Sequence, residues 1–220
     1  MADSKQEGQY AGKTVVISAV MKKGGAGKTS TIVPLAYLAA LTGARVALID
    51  MDTTPSAEQW VNAAELAGET LACDRVTAEE LEPLLAEIKA SGLIDFVFID
   101  TPPGDKHIIV QAMSESDLVL MPVHIGSGDL PQLLETYHLM KLPLRANPAL
   151  QHLIVVNHGG TMPAVTRDTV EAIREGIPEA RLARTVVPYS RLYALGKGSR
   201  PDGKWWHFTQ LWDEIREALA

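Results

Sequence analysis

The chain has 220 residues, 46% hydrophobic and 21% charged, the balance of one globular domain with enough apolar surface for a sizeable core. Its formal net charge of -7 excludes a protein coated in positive charge for nucleic acid, while leaving room for a local basic patch. The single cysteine, Cys73, excludes an intrachain disulfide and any metal site built from a cysteine cluster.

In chain order, residues 1–13 (MADSKQEGQYAGK) are polar and carry no apolar stretch of the signal-peptide kind, which predicts a flexible N-terminus before a single domain over 14–220. No apolar run approaches the roughly 18 residues of a membrane span, so a cytoplasmic protein is expected. Residues 14–20 (TVVISAV) read as a strand and 29–41 as the helix after it. A second strand is expected at 45–50, then a helical stretch through Trp60 and Glu65, a short strand at 71–76 and a helix at 81–90. Further strands are expected at 96–100, 118–122, 153–157 and 185–187, with helical stretches near 107–115, 129–141, 164–174 and 205–219. Strands that are apolar at every position imply burial on both faces, as in a parallel sheet between helices. The alternating order predicts an open, doubly wound α/β fold with a mainly parallel sheet. Ligands in such sheets gather at the carboxyl ends of the strands.

Four strand ends carry chemistry. The first is MKKGGAGKTST at 21–31, where glycines between a strand and a helix let backbone N–H groups face a polyphosphate. There Lys28 would reach the β and γ phosphates and the Thr29 hydroxyl would ligate Mg²⁺. The second is Asp100, closing FVFID, which reads either as a turn former or as the acid behind a Mg²⁺ ion. The third is the pair Asp50 and Asp52, whose carboxylates share one face of an extended chain. They suit a cation or an attacking water, or form a solvated acidic turn. The fourth joins Asn157, closing LIVVN, with VVPYS at 186–190; an amide offers the donor and acceptor that an adenine edge needs, but each could equally be a turn residue.

Together these residues resemble the ParA/MinD group of P-loop ATPases, whose deviant loop reads Lys-Gly-Gly-x-Gly-Lys-Thr/Ser. This sequence has Lys23-Gly24-Gly25-Ala26-Gly27-Lys28-Thr29, followed by Ser30. Also similar are the Asp50-x-Asp52 strand end, Asp100 before Thr-Pro-Pro, SDLVLMPV at 116–123, and the strand ends at Asn157 and Pro188-Tyr189. The likeness runs from about residue 14 to the C-terminus, and is greatest to the short ParA partition ATPases without an N-terminal DNA-binding domain. It implies ATP and Mg²⁺ as ligands, with Thr29, Asp50 and Asp100 at the metal and Asp52 at the attacking water. Residues 23–30, Asn157, Pro188 and Tyr189 would surround the nucleotide. It also implies that Lys23 crosses a homodimer interface to the partner's ATP, a cationic insertion of the kind that gives ~10³–10⁵ in rate. Lys22 receives no role. One departure is that Thr53-Thr54-Pro55 follow Asp52 where the family commonly has Pro-Gln, which bears on how the water is aimed.

The resemblance implies an ATP-dependent dimer that holds nonspecific DNA, is released by a ParB-like or other adaptor protein, and positions a plasmid, a chromosome or another cargo. In an acidic chain the DNA contacts would have to be concentrated, and Arg191, Lys197, Arg200 and Lys204 face the single acid Asp202 between 190 and 204; a solvated loop is the alternative. A MinD-like membrane-surface ATPase would need a basic amphipathic C-terminal helix. In KWWHFTQLWDEIREALA the acids Asp213, Glu214 and Glu217 oppose Arg216, so a helix packed on the sheet is expected and no membrane contact. A small-molecule ligase or synthetase of the same fold is the further alternative. An iron–sulfur version needs two cysteines per subunit, and one is present.

Overall fold

The computed structural model describes residues 13–66, 71–126, 128–159, 162–191, 193, 196, 198–202 and 204–219. The expected flexible N-terminus, apart from Lys13, lies outside the described residues. Among the described residues seven strands form one sheet: β1 (Val15–Ala19), β2 (Val46–Asp50), β3 (Ala72–Arg75), β4 (Phe96–Asp100), β5 (Leu118–His124), β6 (Gln151–Gly159) and β7 (Val187–Pro188). Their order is β3-β2-β4-β1-β5-β6-β7, and every pairing is parallel. Among the described residues the helices are α1 (Lys28–Leu41), α2 (Ser56–Leu66), α3 (Ala78–Ser91), α4 (Lys106–Glu115), α5 (Leu130–Leu139), α6 (Lys141–Ala146), α7 (Pro163–Gly176) and α8 (Trp206–Leu219).

The period-2 geometry of the strands divides the core in two. On β1, Val15, Ile17 and Ala19 face α1, α2 and α8, while Val16 and, just past the strand, Val20 face the layer of α3, α4, α5 and α7. On β4, Phe96 and Phe98 point to the first layer, Val97 and Ile99 to the second. Burial on both faces is why these strands read as unbroken apolar runs. The C-terminal helix lays Phe208, Leu211, Trp212 and Ile215 into the first layer, with the Trp212 ring 5.2 Å from Phe96 and 6.0 Å from Phe98.

Several boundaries differ from the sequence expectation for local reasons. The helix expected at 129–141 is two, α5 and α6, meeting at Met140; Pro143 falls in the first turn of α6, where its missing N–H costs no helical bond. Helix α3 begins three residues earlier than expected, because Thr77 and Glu80 form a reciprocal capping box. The strand expected at 185–187 is displaced to Val187–Pro188. Thr185 is instead held by Glu214 of α8, whose Oε1 accepts from the Thr185 amide at 2.7 Å and its hydroxyl at 2.5 Å.

Replacing Phe98, which is fully buried, by Ala is expected to cost about 3–5 kcal/mol and to lower the urea midpoint accordingly. A second outcome concerns His152, whose Nε2 accepts the Arg181 amide at 3.1 Å and which burial holds below the ordinary imidazole range. The unfolded chain therefore takes up this proton first, and stability is lost as pH falls through about 6.5. In thermal melts from roughly pH 7.5 down to 5.5, His152→Gln is expected to lose less stability than the parent.

Candidate nucleotide-binding site

Between β1 and α1 the chain makes a tight loop at the centre of the sheet. Gly25 and Gly27 have φ of 75° and 93°, the left-handed region, and Gly27 is the N-cap of α1. A Cβ on Gly27 would stand 2.8 Å from the Asn157 Nδ2, so close packing as well as backbone conformation requires glycine there. Ala26 tucks into the second core layer, and Gly24 lies beside Pro103. The loop opens on a cavity of about 700 Å³ lined by Gly24, Gly25, Gly27, Lys28, Thr29 and Ser30, among others. The first turn of α1 holds no acid, so its positive dipole end is not neutralised from within the helix.

Lys28 is 7% exposed, and its Nζ donates to the Met21 carbonyl at a long 3.4 Å. Burial lowers its ordinary amine pKa, while Asp100 and Asp52 act in the opposite direction. Thr29 donates its hydroxyl to the Asp100 Oδ2 at 2.5 Å. The other oxygen, Oδ1, is buried with no partner among the described residues, and burial pushes the carboxyl up to about 7. Asp50, which the sequence reading gave to the metal, has its carboxylate engaged elsewhere. It accepts from the amides of Asp52 (3.0 Å), Ala57 (2.9 Å) and Glu58 (3.0 Å), capping α2 and fixing the turn that carries Asp52. Asp52 lines the cavity, and its Oδ1 accepts the Thr54 amide at 2.9 Å in a local Asx turn.

The two lysines upstream are held by α5. Lys22, to which the sequence gave no role, pairs with Glu135, and its amide donates to the Thr136 hydroxyl at 3.1 Å. Lys23 pairs with Asp129, the N-cap residue of α5, which is 4% exposed; unlike Lys28, Lys23 does not line the cavity. At the far side, Asn157 donates through Nδ2 to the Thr31 hydroxyl at 3.2 Å, and its Oδ1 is buried without a partner among the described residues. Pro188 and the exposed Tyr189 complete that wall. Sequence reasoning missed Asp129, His124 and His158. His124 ends β5 and His158 is the last residue but one of β6, so nearness to a strand end was the available signal, but an isolated histidine there carries no pattern.

Of the four cations expected to meet DNA, Arg191, Arg200 and Lys204 are exposed, and Lys204 lies 3.9 Å from Asp202; Lys197 lies outside the described residues. This segment is tied to the cavity, since the Trp60 indole of α2 donates to the Ser199 carbonyl at 2.9 Å.

An all-parallel sheet with a glycine loop between its central strand and a buried helix defines a P-loop NTPase. MinD from Pyrococcus horikoshii, solved as its complex with Mg-ADP, shares the fold with a TM-score of 0.72 at 20% identity, over 92% of this chain and 96% of that one. The maintenance of carboxysome distribution protein A of Gloeobacter kilaueensis is 37% identical over 130 residues, 58% of this chain and 57% of that protein. The chain thus spans a little over half the length of that relative. The protein of the same name from Halothiobacillus neapolitanus is 29% identical over 168 residues, 76% of this chain and 77% of that protein. The model of the VirC1 protein family matches residues 14–179. The chain belongs to this family, within the short ParA-like members of the ParA/MinD-type P-loop ATPases.

Gly27→Ala is expected to displace the loop or Asn157 and to abolish nucleotide-induced thermal stabilisation while leaving the far-ultraviolet spectrum unchanged. Asp50→Ala removes the acceptor of three amides and is expected to lower stability by about 1–3 kcal/mol, measured by urea denaturation.

Proposed function

We propose that this chain is an ATPase that dimerises around ATP and partitions or positions DNA or another large cargo. The observation that carries this reading is the contrast between its two signature lysines. Lys28 is desolvated inside the cavity with one long contact to a carbonyl, a cation whose burial the phosphates of a nucleotide would offset. Lys23 stands outside that cavity, held on its own subunit by Asp129, and would exchange this carboxylate for the phosphates of a partner's ATP. The γ-phosphate is then the group that rewards the exchange, which makes dimerisation depend on ATP rather than ADP.

The site residues fit a Mg²⁺ ion. The buried, unpartnered Oδ1 of Asp100 and the Thr29 hydroxyl, which donates to Oδ2 of the same carboxylate, are hard oxygen ligands of the kind Mg²⁺ takes, with Thr29 contacting the ion and Asp100 orienting Thr29. When bound, the ion would neutralise charge on the phosphate oxygens. Asp52 would orient or deprotonate the attacking water, and the turn that carries it is fixed by Asp50 and Thr54. Relatives named for the maintenance of carboxysome distribution favour a positioning role over a ligase. No helix among the described residues is long and apolar enough to cross a membrane. Nonspecific DNA is the surface this reading assigns to the Arg191, Lys197, Arg200 and Lys204 segment, and an adaptor of the ParB kind is the partner that would stimulate slow hydrolysis.

DNA retention measured with ATP and with ADP across a salt series tests the proposal. Retention is expected with ATP alone and to fall steeply with salt; equal retention with both nucleotides overturns the DNA role. Lys28→Ala is expected to lose nucleotide binding. Lys23→Gln is expected to bind ATP yet form no ATP-dependent dimer, read by light scattering. Asp52→Ala is expected to accumulate as the ATP dimer with turnover lost.

A further inference from the structure

Two imidazoles border the cavity outside the roles assigned above, one of them against the phosphate loop. His124 closes β5, and His158 follows Asn157 on the neighbouring β6, so that their rings lie parallel, 4.0 Å apart at 11°. Both line the nucleotide cavity. The Nε2 of His124 lies 3.5 Å from the point where a Cβ on Gly27 would stand, which places its polar edge at the N-cap of α1. Its backbone N–H donates to the Asp129 Oδ2 at 3.2 Å. His158 is the one non-glycine residue with positive φ among the described residues, at 60°, and the Tyr189 ring meets it edge-on at 5.2 Å. A side chain held in that backbone region implies that its placement matters.

The charged and titratable groups around His124 are His158 from β6, Asp129 from the start of α5 and Lys23 from the loop. Burial, then His158 and Lys23, hold the His124 imidazole below its ordinary range, with Asp129 opposing them. Asp129 is already paired with Lys23. A polyphosphate on the loop would bring several negative charges to Nε2 and reverse that balance. His158 would remain neutral, since two stacked imidazolium rings repel.

We propose that His124 is a further ligand of the nucleotide's phosphate chain, taking up a proton as the nucleotide enters, and that His158 is the positioning residue that holds its ring. The inference rests on the nucleotide reading above and adds a proton to it. Because the proton belongs to the bound form, nucleotide affinity rises as pH falls through neutrality.

Isothermal titration of magnesium ADP into the protein, in buffers of different ionisation enthalpy between roughly pH 6 and pH 8, counts the protons directly. ADP is the probe because it undergoes no turnover. The parent is expected to take up close to one proton more than His124→Gln, a difference that cancels any release from Asp100 at the ion, and His124→Gln to bind about tenfold more weakly. Equal net uptake in the two proteins overturns the proposal. A parent that binds neither ADP nor ATP overturns instead the nucleotide reading on which it rests. His158→Gln is expected to keep the uptake with reduced affinity; parent-like affinity removes His158 from the proposal. Should His124→Gln fail to fold, imidazole proton resonances of the parent decide. The His124 midpoint is expected to rise on adding ADP, and an unmoved midpoint refutes the assignment.

Discussion

The register of three parallel strands sets the chemistry of this molecule. Ala19 of β1 is level with Asp100 of β4, and Asp100 is level with Asp50 of β2. The start of the phosphate loop and two carboxylates therefore reach the same edge of the sheet side by side. Both carboxylates are 1% exposed, and their shared burial would be prohibitive without partners. Asp50 finds two amides at the start of α2 and that of Asp52 in the turn before it, while Asp100 finds the Thr29 hydroxyl and the charge of nearby Lys28. A slip of one residue in either pairing would turn one acid to the opposite face and leave Lys28 without its counter-charge.

The same register explains why two lysines five residues apart in one loop behave so differently. Lys28 begins α1 and is carried inward with it, so its amine lies among the acids of the strand ends. Lys23 precedes the glycines and is caught by α5, from the other side of β1. Lys22 is caught by the same helix through Glu135 and Thr136, which fixes the backbone from which Lys23 departs. Neighbouring cations in sequence thus receive opposite surroundings, one desolvated and one at the rim, without any special property of the residues themselves.

Much of the fold was legible because buried parallel strands announce themselves as short apolar runs, and because glycine-rich loops sit where such strands end. The loop 23–29 and the acids Asp50, Asp52 and Asp100 could be singled out on those grounds. The engagement of Asp50 could not, since an acid that caps a helix six residues later looks the same in sequence as one reserved for a metal. Asp129 and Glu214 illustrate the same limit. Both are ordinary helix acids by pattern, yet one anchors Lys23 and the other staples Thr185 across more than two dozen residues. The stacked pair His124 and His158 arises from the pairing of β5 with β6, a long-range fact that no local spacing encodes.

Helix α2 links the acids to the basic segment after β7. Its N-terminus is set by Asp50, which lies next to Asp100 in the sheet, and its Trp60 grips the Ser199 carbonyl. Gly198, with φ of 81°, passes so near that a Cβ on it would stand 2.9 Å from the Ala63 Cβ. Trp205 then meets Trp60 edge-on at 6.4 Å and leads into α8, which is packed on α1 and β4. The segment bearing Arg200 and Lys204 is therefore fastened at both ends to elements that border the cavity, rather than hung from the surface. Helix α2 thus joins the turn that carries Asp52 to the backbone beside these cations, through Asp50 at one end and Trp60 in its body.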